Sequence, residues 1–123
     1  MCGIAGIIDE TRQGRADPAL VAAMTRTITH RGPDGEGFFR WPEAAPDVAL
    51  GMRRLSIIDL ESGDQPIFNE DRSVAIVFNG EIYNYVELRA RLEQHGHTFR
   101  TQTDTETLVH GYEQWGLELF EHL

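Results

Sequence analysis

Apolar and polar positions change rhythm several times along this chain. Residues 2–8 form an unbroken run of small and apolar side chains, read as a buried strand beginning at the terminus. Asp17 and Pro18 then offer an N-cap and a first-turn proline, and Leu20, Val21, Met24 and Ile28 follow at helical spacing. Gly32-Pro33 ends that helix near Arg31, and the density of glycine and proline makes residues 31–37 a loop. Phe38-Phe39 opens a second strand. Val48, Leu50 and Met52 alternate, and Leu55-Ser56-Ile57-Ile58 continues extended. After a turn over residues 61–66, Ile67-Phe68 and residues 74–78 flank Asn69-Glu70-Asp71-Arg72 in the manner of a hairpin.

The second half reads as mainly helical. Asn84 is an N-cap with Glu87 in capping-box position, Leu88 and Leu92 line one face, and Gly96 sits where a C-terminal glycine belongs. Residues 97–101 predict a short strand. A further helix starts near Thr103 or Asp104 and carries Leu108, Tyr112 and Trp115 before Gly116, with a final turn over residues 117–123. The order strand, helix, strands, helix, strand, helix indicates an α+β or layered α/β fold. At 123 residues the chain is one domain or part of one.

Charge and cysteine content narrow the function. Eleven basic against twenty acidic residues give 11 − 20 = −9, which argues against a nucleic-acid binder, since that would need a basic face. The single cysteine, Cys2, rules out an internal disulfide and fits a reducing compartment. The N-terminus has no basic n-region and meets an acid at Asp9, so it is a poor signal peptide. No apolar run approaches membrane-spanning length. The expected location is cytoplasmic. His30, His95, His97, His110 and His122 form no metal-ligand pattern with Cys2, and surface or helix-end positions are expected for most of them. No metal site is expected.

Cys2 carries the candidate chemistry. Cysteine is small enough for removal of an initiator methionine, after which the chain would begin with a thiol beside a free α-amine. Such groups have ordinary pKa values of about 8.5 and about 7.7–8.0. The amine can therefore take the thiol proton near neutral pH, so that one residue supplies both nucleophile and base. Against this stands the commoner role of a free cysteine as buried apolar filler. Its neighbours favour chemistry: Gly3 and Gly6 allow close backbone approach, while Ile4, Ile7 and Ile8 would anchor a terminus that otherwise frays.

The opening Met1-Cys2-Gly3-Ile4-Ala5-Gly6 resembles that of class II glutamine amidotransferases, which are N-terminal nucleophile hydrolases. Three later stretches are similar to the asparagine synthetase branch of that family in order and spacing: Arg31-Gly32-Pro33-Asp34-Gly35, Arg54-Leu55-Ser56-Ile57-Ile58-Asp59 and Asn79-Gly80-Glu81-Ile82-Tyr83-Asn84. Thr103-Asp104-Thr105-Glu106 resembles the family's later aspartate segment. Together these cover essentially the whole chain.

The resemblance implies an αββα sandwich of the N-terminal nucleophile hydrolase kind within the α+β class, and L-glutamine as substrate. It assigns Cys2 as nucleophile. Arg54 would take the substrate carboxylate, its planar fork suiting a bidentate pair, with Leu55 and Ile57 beside it. The substrate ammonium goes to Asp104 and to groups around Gly80 and Glu81. The Asn79 side chain and the Gly80 N–H form the oxyanion hole. From local pattern alone, Asn79-Gly80 also reads as a hairpin turn, Asp104 as a helix cap, and Arg54 as a solvated strand arginine like Arg53. The loop at residues 31–35 is either mobile or a lid near the glutamine pocket.

Family amidotransferase domains are longer than this chain, and asparagine synthetases add a synthetase domain with a glycine-rich pyrophosphate loop. The resemblance therefore implies a C-terminally truncated domain over residues 1–123. Ser62-Gly63-Asp64 does not replace that loop. No cofactor is expected in this segment, while ATP and magnesium belong to the absent C-terminal synthetase domain, which is the expected partner. No nucleic acid or membrane partner is expected, and the resemblance admits a homodimer. Two other readings stay open: an inactive fragment, and an amidotransferase serving another acceptor.

Overall fold

The computed structural model describes residues 2–11, 15–41, 47–55 and 63–123. The architecture is α+β and divides into two compact units: residues 1–56 with 64–66, and residues 57–63 with 67–123. Each is described by itself.

In the first unit, β1 (Gly3–Asp9), β2 (Gly35–Trp41) and β3 (Asp47–Arg54) form an antiparallel sheet in the order β1-β3-β2. Helix α1 (Pro18–Thr27) packs on one face of it. Asp17 caps α1 as its sequence predicts: the backbone is extended there, and the carboxylate accepts from the Ala19 N–H at 2.8 Å. A single turn of 3₁₀ helix at Thr29–Arg31 follows before Gly32. Val21 and Thr25 point from α1 to the sheet, where Ala16, Val21 and Ala49 make the core with Ile7 against it. The helix lies so close that a Cβ on Gly51 of β3 would come within 2.1 Å of the Thr25 hydroxyl.

Two expectations change here. The first strand is not buried on both sides. Among the described residues it stands at the edge of the sheet with one packed face, and on the other Ile4 and Ile8 are 43% and 63% exposed. The second strand begins at Gly35, not at Phe38, because the Gly35–Gly37 segment is already registered with Arg54, Arg53 and Met52 of β3.

In the second unit, β4 (Ile67–Phe68) and β5 (Ala75–Ile76) form the predicted hairpin. Asn69 closes it from inside: fully buried, it accepts from the Val74 N–H at 2.9 Å and donates to the Ser73 hydroxyl at 2.9 Å. Helix α2 (Tyr85–Gln94) buries Leu88 and Leu92 and ends in a Schellman arrangement. The Gly96 N–H bonds to the Glu93 carbonyl and the His97 N–H to the Leu92 carbonyl, with Gly96 at φ +99°. Helix α3 (Thr105–Trp115) packs against α2, the hairpin and the 3₁₀ segment Gly116–Glu121.

Local pattern was a poorer guide to the polar interior. Asn84 stands at the N-cap of α2 but makes no capping bond. Its amide donates to the His122 carbonyl at 2.7 Å and fastens the far end of the unit. Residues 97–101 are not a strand, because side chains take their backbone donors. Glu70 accepts from the Thr98 N–H at 2.8 Å, and Glu106 accepts from the N–H groups of Arg100 and Thr101, each at 2.7 Å. Burial of Glu106 acts to raise its pKa. Hydrogen bonds from His110, from the Thr101 hydroxyl and from those two N–H groups outweigh it and hold the carboxyl at about 2. His110 lies in the core, 1% exposed, rather than at the surface, whereas Tyr112 of the predicted apolar stripe is 48% exposed.

Candidate active site

Cys2 precedes β1 and is partly buried. The β1–β3 register pairs Gly3 with Arg53, so the thiol lies level with the end of β3. Its Sγ accepts from the Leu55 N–H at 3.3 Å and donates to the Leu55 carbonyl at 3.6 Å. The predicted nucleophile and the predicted Arg54-Leu55 segment are thus brought together, and backbone contacts fix the sulfur to the strand end. Ile57, also expected near the substrate, lies outside the described residues.

Arg53 and Arg54 are both buried, so neither is a solvated strand arginine. Their roles differ. Arg53 ties down the preceding loop: Nε donates to the Gly32 carbonyl at 2.9 Å, Nη2 to the Pro33 carbonyl at 3.5 Å, and Nη1 to Glu36 at 2.8 Å. Arg54 Nη1 donates to the Asp64 carboxylate at 3.0 Å, an ion pair whose acidic side chain is 83% exposed. A buried guanidinium held by an exposed carboxylate is a site at which a second, ligand-borne carboxylate can compete.

Residues 31–35, expected to be a mobile loop or lid, are fastened to β3. Besides the Arg53 bonds, the Asp34 N–H donates to the Arg54 carbonyl at 3.1 Å. A Cβ on Gly32 would stand 2.5 Å from the Arg53 carbonyl carbon and oxygen and 2.6 Å from that of Arg54. Backbone cannot yield there as a flexible side chain would. Gly32→Ala is therefore expected to destabilise the protein by about 1–3 kcal/mol, read as a lower midpoint in denaturant with an unchanged slope. An unchanged midpoint would contradict the packing.

In the second unit, Asn79, Gly80 and Glu81 lie on an exposed segment between β5 and α2. Asn79-Gly80 is not a hairpin turn: β5 has already ended at Ile76, and the chain runs on to α2. Gly80 is held by close approach, since a Cβ there would lie 2.5 Å from the Phe78 ring. Asp104 stands at the N-cap of α3 without a capping bond. It is buried, and its Oδ2 accepts from the Ile82 N–H at 2.8 Å. The structure thus joins the Asn79–Glu81 segment to Asp104, across 22 residues of sequence.

The profile of the family described as glutamine amidotransferase domain matches residues 1–123. The chain belongs to this family. It is 45% identical over 117 residues to an asparagine synthetase [glutamine-hydrolyzing] of Bacillus subtilis, covering 94% of the chain and 18% of that protein. It is 41% identical over 123 residues to the corresponding synthetase of Arabidopsis thaliana, covering all of the chain and 20% of that protein. A second Bacillus subtilis synthetase is 44% identical over 119 residues, covering 95% of the chain and 15% of that protein. The chain of this amidotransferase domain therefore spans about a fifth of the length of these relatives. Among its described residues, no helix is long and apolar enough to cross a membrane.

The site residues that sequence reasoning missed are supporting ones. Arg53 looked equivalent to Arg54, and Asp64 looked like part of a turn. Only the strand register tells the two arginines apart: Arg53 pairs across to Glu36 in β2, while Arg54 ends the strand at Gly35.

Proposed function

We propose that this domain hydrolyses the side-chain amide of L-glutamine and delivers ammonia to a synthetase domain of the same protein, which amidates aspartate with ATP and magnesium. The observation that carries the reading is the Cys2 thiol held by both backbone groups of Leu55, next to the buried Arg54. Family membership and the similarity to glutamine-hydrolysing asparagine synthetases support it. On this reading the α+β units belong to an αββα sandwich of the N-terminal nucleophile hydrolase kind, and residues 1–123 are part of a longer amidotransferase domain.

The reaction begins when the α-amine of Cys2, freed by loss of Met1, takes the thiol proton. The thiolate attacks the amide carbon of glutamine, and the carbonyl electrons move onto oxygen. The Asn79 side-chain amide and the Gly80 N–H donate to that oxyanion. As the oxyanion collapses, the C–N bond breaks and the α-ammonium returns its proton to the departing nitrogen, giving ammonia and a glutamyl thioester. Water activated by the same amine hydrolyses the thioester to glutamate and the free thiol. Arg54 pairs with the substrate carboxylate in place of Asp64, with Leu55 and Ile57 alongside. Asp104 and the groups around Gly80 and Glu81 receive the ammonium.

Processing tests this mechanism. The active protein is expected to begin at Cys2 in an intact-mass measurement, and a form in which Met1 is retained should release no glutamate from glutamine. Full activity in a chain that retains Met1 would show that the α-amine is not the base.

A further inference from the structure

The second unit gathers four potential metal ligands that the amidotransferase reading does not use. Glu70 comes from the hairpin turn, His97 from the segment after α2, and His110 and Glu113 from one face of α3, three residues apart. One ligand atom from each lies within 4.8 Å of all the others. His110 Nδ1 is 3.3 Å from Glu70 Oε2 and 4.0 Å from Glu113 Oε2, and His97 Nδ1 is 3.5 Å from Glu70 Oε1 and 3.7 Å from Glu113 Oε2. Zinc bonds to imidazole and carboxylate are about 2.0–2.2 Å, and a tetrahedron built on them has edges of about 3.3–3.6 Å. The four imidazole–carboxylate separations fall within or just beyond that range, with Glu70 offering a different oxygen to each histidine.

Two features set this cluster apart from a chance meeting of charges. The first is that it has buried atoms without partners. His110 is 1% exposed, yet its Nδ1 has no hydrogen bond, and neither has the buried Oε2 of Glu70 that faces it. A buried donor or acceptor left without a hydrogen bond is costly, so both atoms call for a partner between them. The second is that the outer ring nitrogens are already engaged. His110 Nε2 faces Glu106 Oε1 at 3.4 Å, and His97 Nε2 faces Gln114 Oε1 at 3.2 Å. With protons on both Nε2 atoms, each imidazole turns an unprotonated Nδ1 inward. That is the outer arrangement by which histidine ligands are oriented and their basicity raised. Glu70 is positioned likewise, its Oε1 accepting from the Thr98 N–H at 2.8 Å.

We infer that Glu70, His97, His110 and Glu113 form a structural binding site for a divalent cation of the zinc class, clamping the β4–β5 hairpin to α3. Two neutral imidazoles and two carboxylates supply the borderline donor set that Zn²⁺ takes, and four protein ligands make a closed site rather than a catalytic one. The two carboxylates neutralise the ion. Glu113, the exposed member, closes last, and the open cleft beside it, lined by Glu70, Asp71, His95, Gly96 and Gln114, gives the ion its way in.

The test uses purified protein stripped with a chelator, then titrated with Zn²⁺ in a calorimeter and with Co²⁺ in a spectrophotometer. One ion per chain is expected, with the intense visible bands of tetrahedral cobalt. Glu113→Gln lies at the surface and should fold, and with His97→Ala it is expected to weaken binding by about a hundredfold or more. Gln114→Ala, which frees the outer nitrogen of His97, should weaken it by about tenfold. Cys2→Ala should bind as the wild type does. No uptake, equal affinity in wild type, Glu113→Gln and His97→Ala, or loss of uptake in Cys2→Ala would each overturn the site. The proposed glutaminase activity would stand in every case, because it rests on other residues.

Discussion

Cys2→Ala in the full-length protein is expected to abolish glutamate release from glutamine while leaving synthesis from free ammonia intact. The first half follows from the chemistry of the terminus. Without the sulfur there is no group at the end of β1 to form the thioester, and the contacts with Leu55 are empty of function. The second half follows from the division of labour proposed above, in which the acceptor is activated in another domain. Cys2→Ser should be nearly as inactive: the geometry survives, but a hydroxyl is far less ionised than a thiol near pH 7. The measurement is a pair of rates on one preparation, glutamate from glutamine and asparagine from ammonia. Wild-type glutamate release in Cys2→Ala would remove Cys2 from the mechanism. Loss of both rates together would show that the substitution damages the fold instead.

What the sequence disclosed depends on how far apart the interacting residues lie. Asp17 and Ala19, or Leu92, Gly96 and His97, are near neighbours, and the rules of caps and C-terminal glycines describe them well. The hairpin over residues 69–72 was legible for the same reason. Wherever a polar side chain reaches across the fold, the local rule named the right residue and the wrong bond. Asn84 and Asp104 both stand at helix N-caps, yet one reaches 38 residues on to His122 and the other 22 residues back to Ile82. The extended segment 97–101 looks like a strand because its composition alternates. It fails as one because Glu70 and Glu106 take its N–H groups first. The exposed face of β1 was hidden in the same way: a run of isoleucines does not say how many layers will cover it.

The candidate site was read mainly from its motifs, and the structure explains their spacing in part. Leu55 must follow Arg54 at the end of β3, because the register delivers Cys2 to Leu55 only there. The Asn79–Glu81 segment and Asp104 are far apart in sequence but share the Ile82 bond, which ties the proposed oxyanion donors to the proposed ammonium acceptor. Ion pairing at Arg54 could not be foreseen, since Asp64 carries no motif of its own.

Asn79→Ala is expected to lower kcat for glutamine hydrolysis by about a hundredfold or more with little change in KM, because the amide would donate to an oxygen that gains full charge only in the transition state. The residue is exposed, so the loss should come without loss of stability, and an unchanged thermal melt serves as the control. Arg54→Lys provides the contrast. The carboxylate of glutamine is the same in ground and transition states, so weakening its partner acts on uniform binding and should raise KM more than it lowers kcat. A lysine keeps the charge but loses the two-pronged geometry, and it must also satisfy Asp64 from a buried position. Measured side by side, the two variants separate anchoring from catalysis. If Asn79→Ala raised KM alone, or both substitutions moved both constants equally, the assignment of Asn79 to the oxyanion would fail, and Gly80 would be left as the only donor proposed for it.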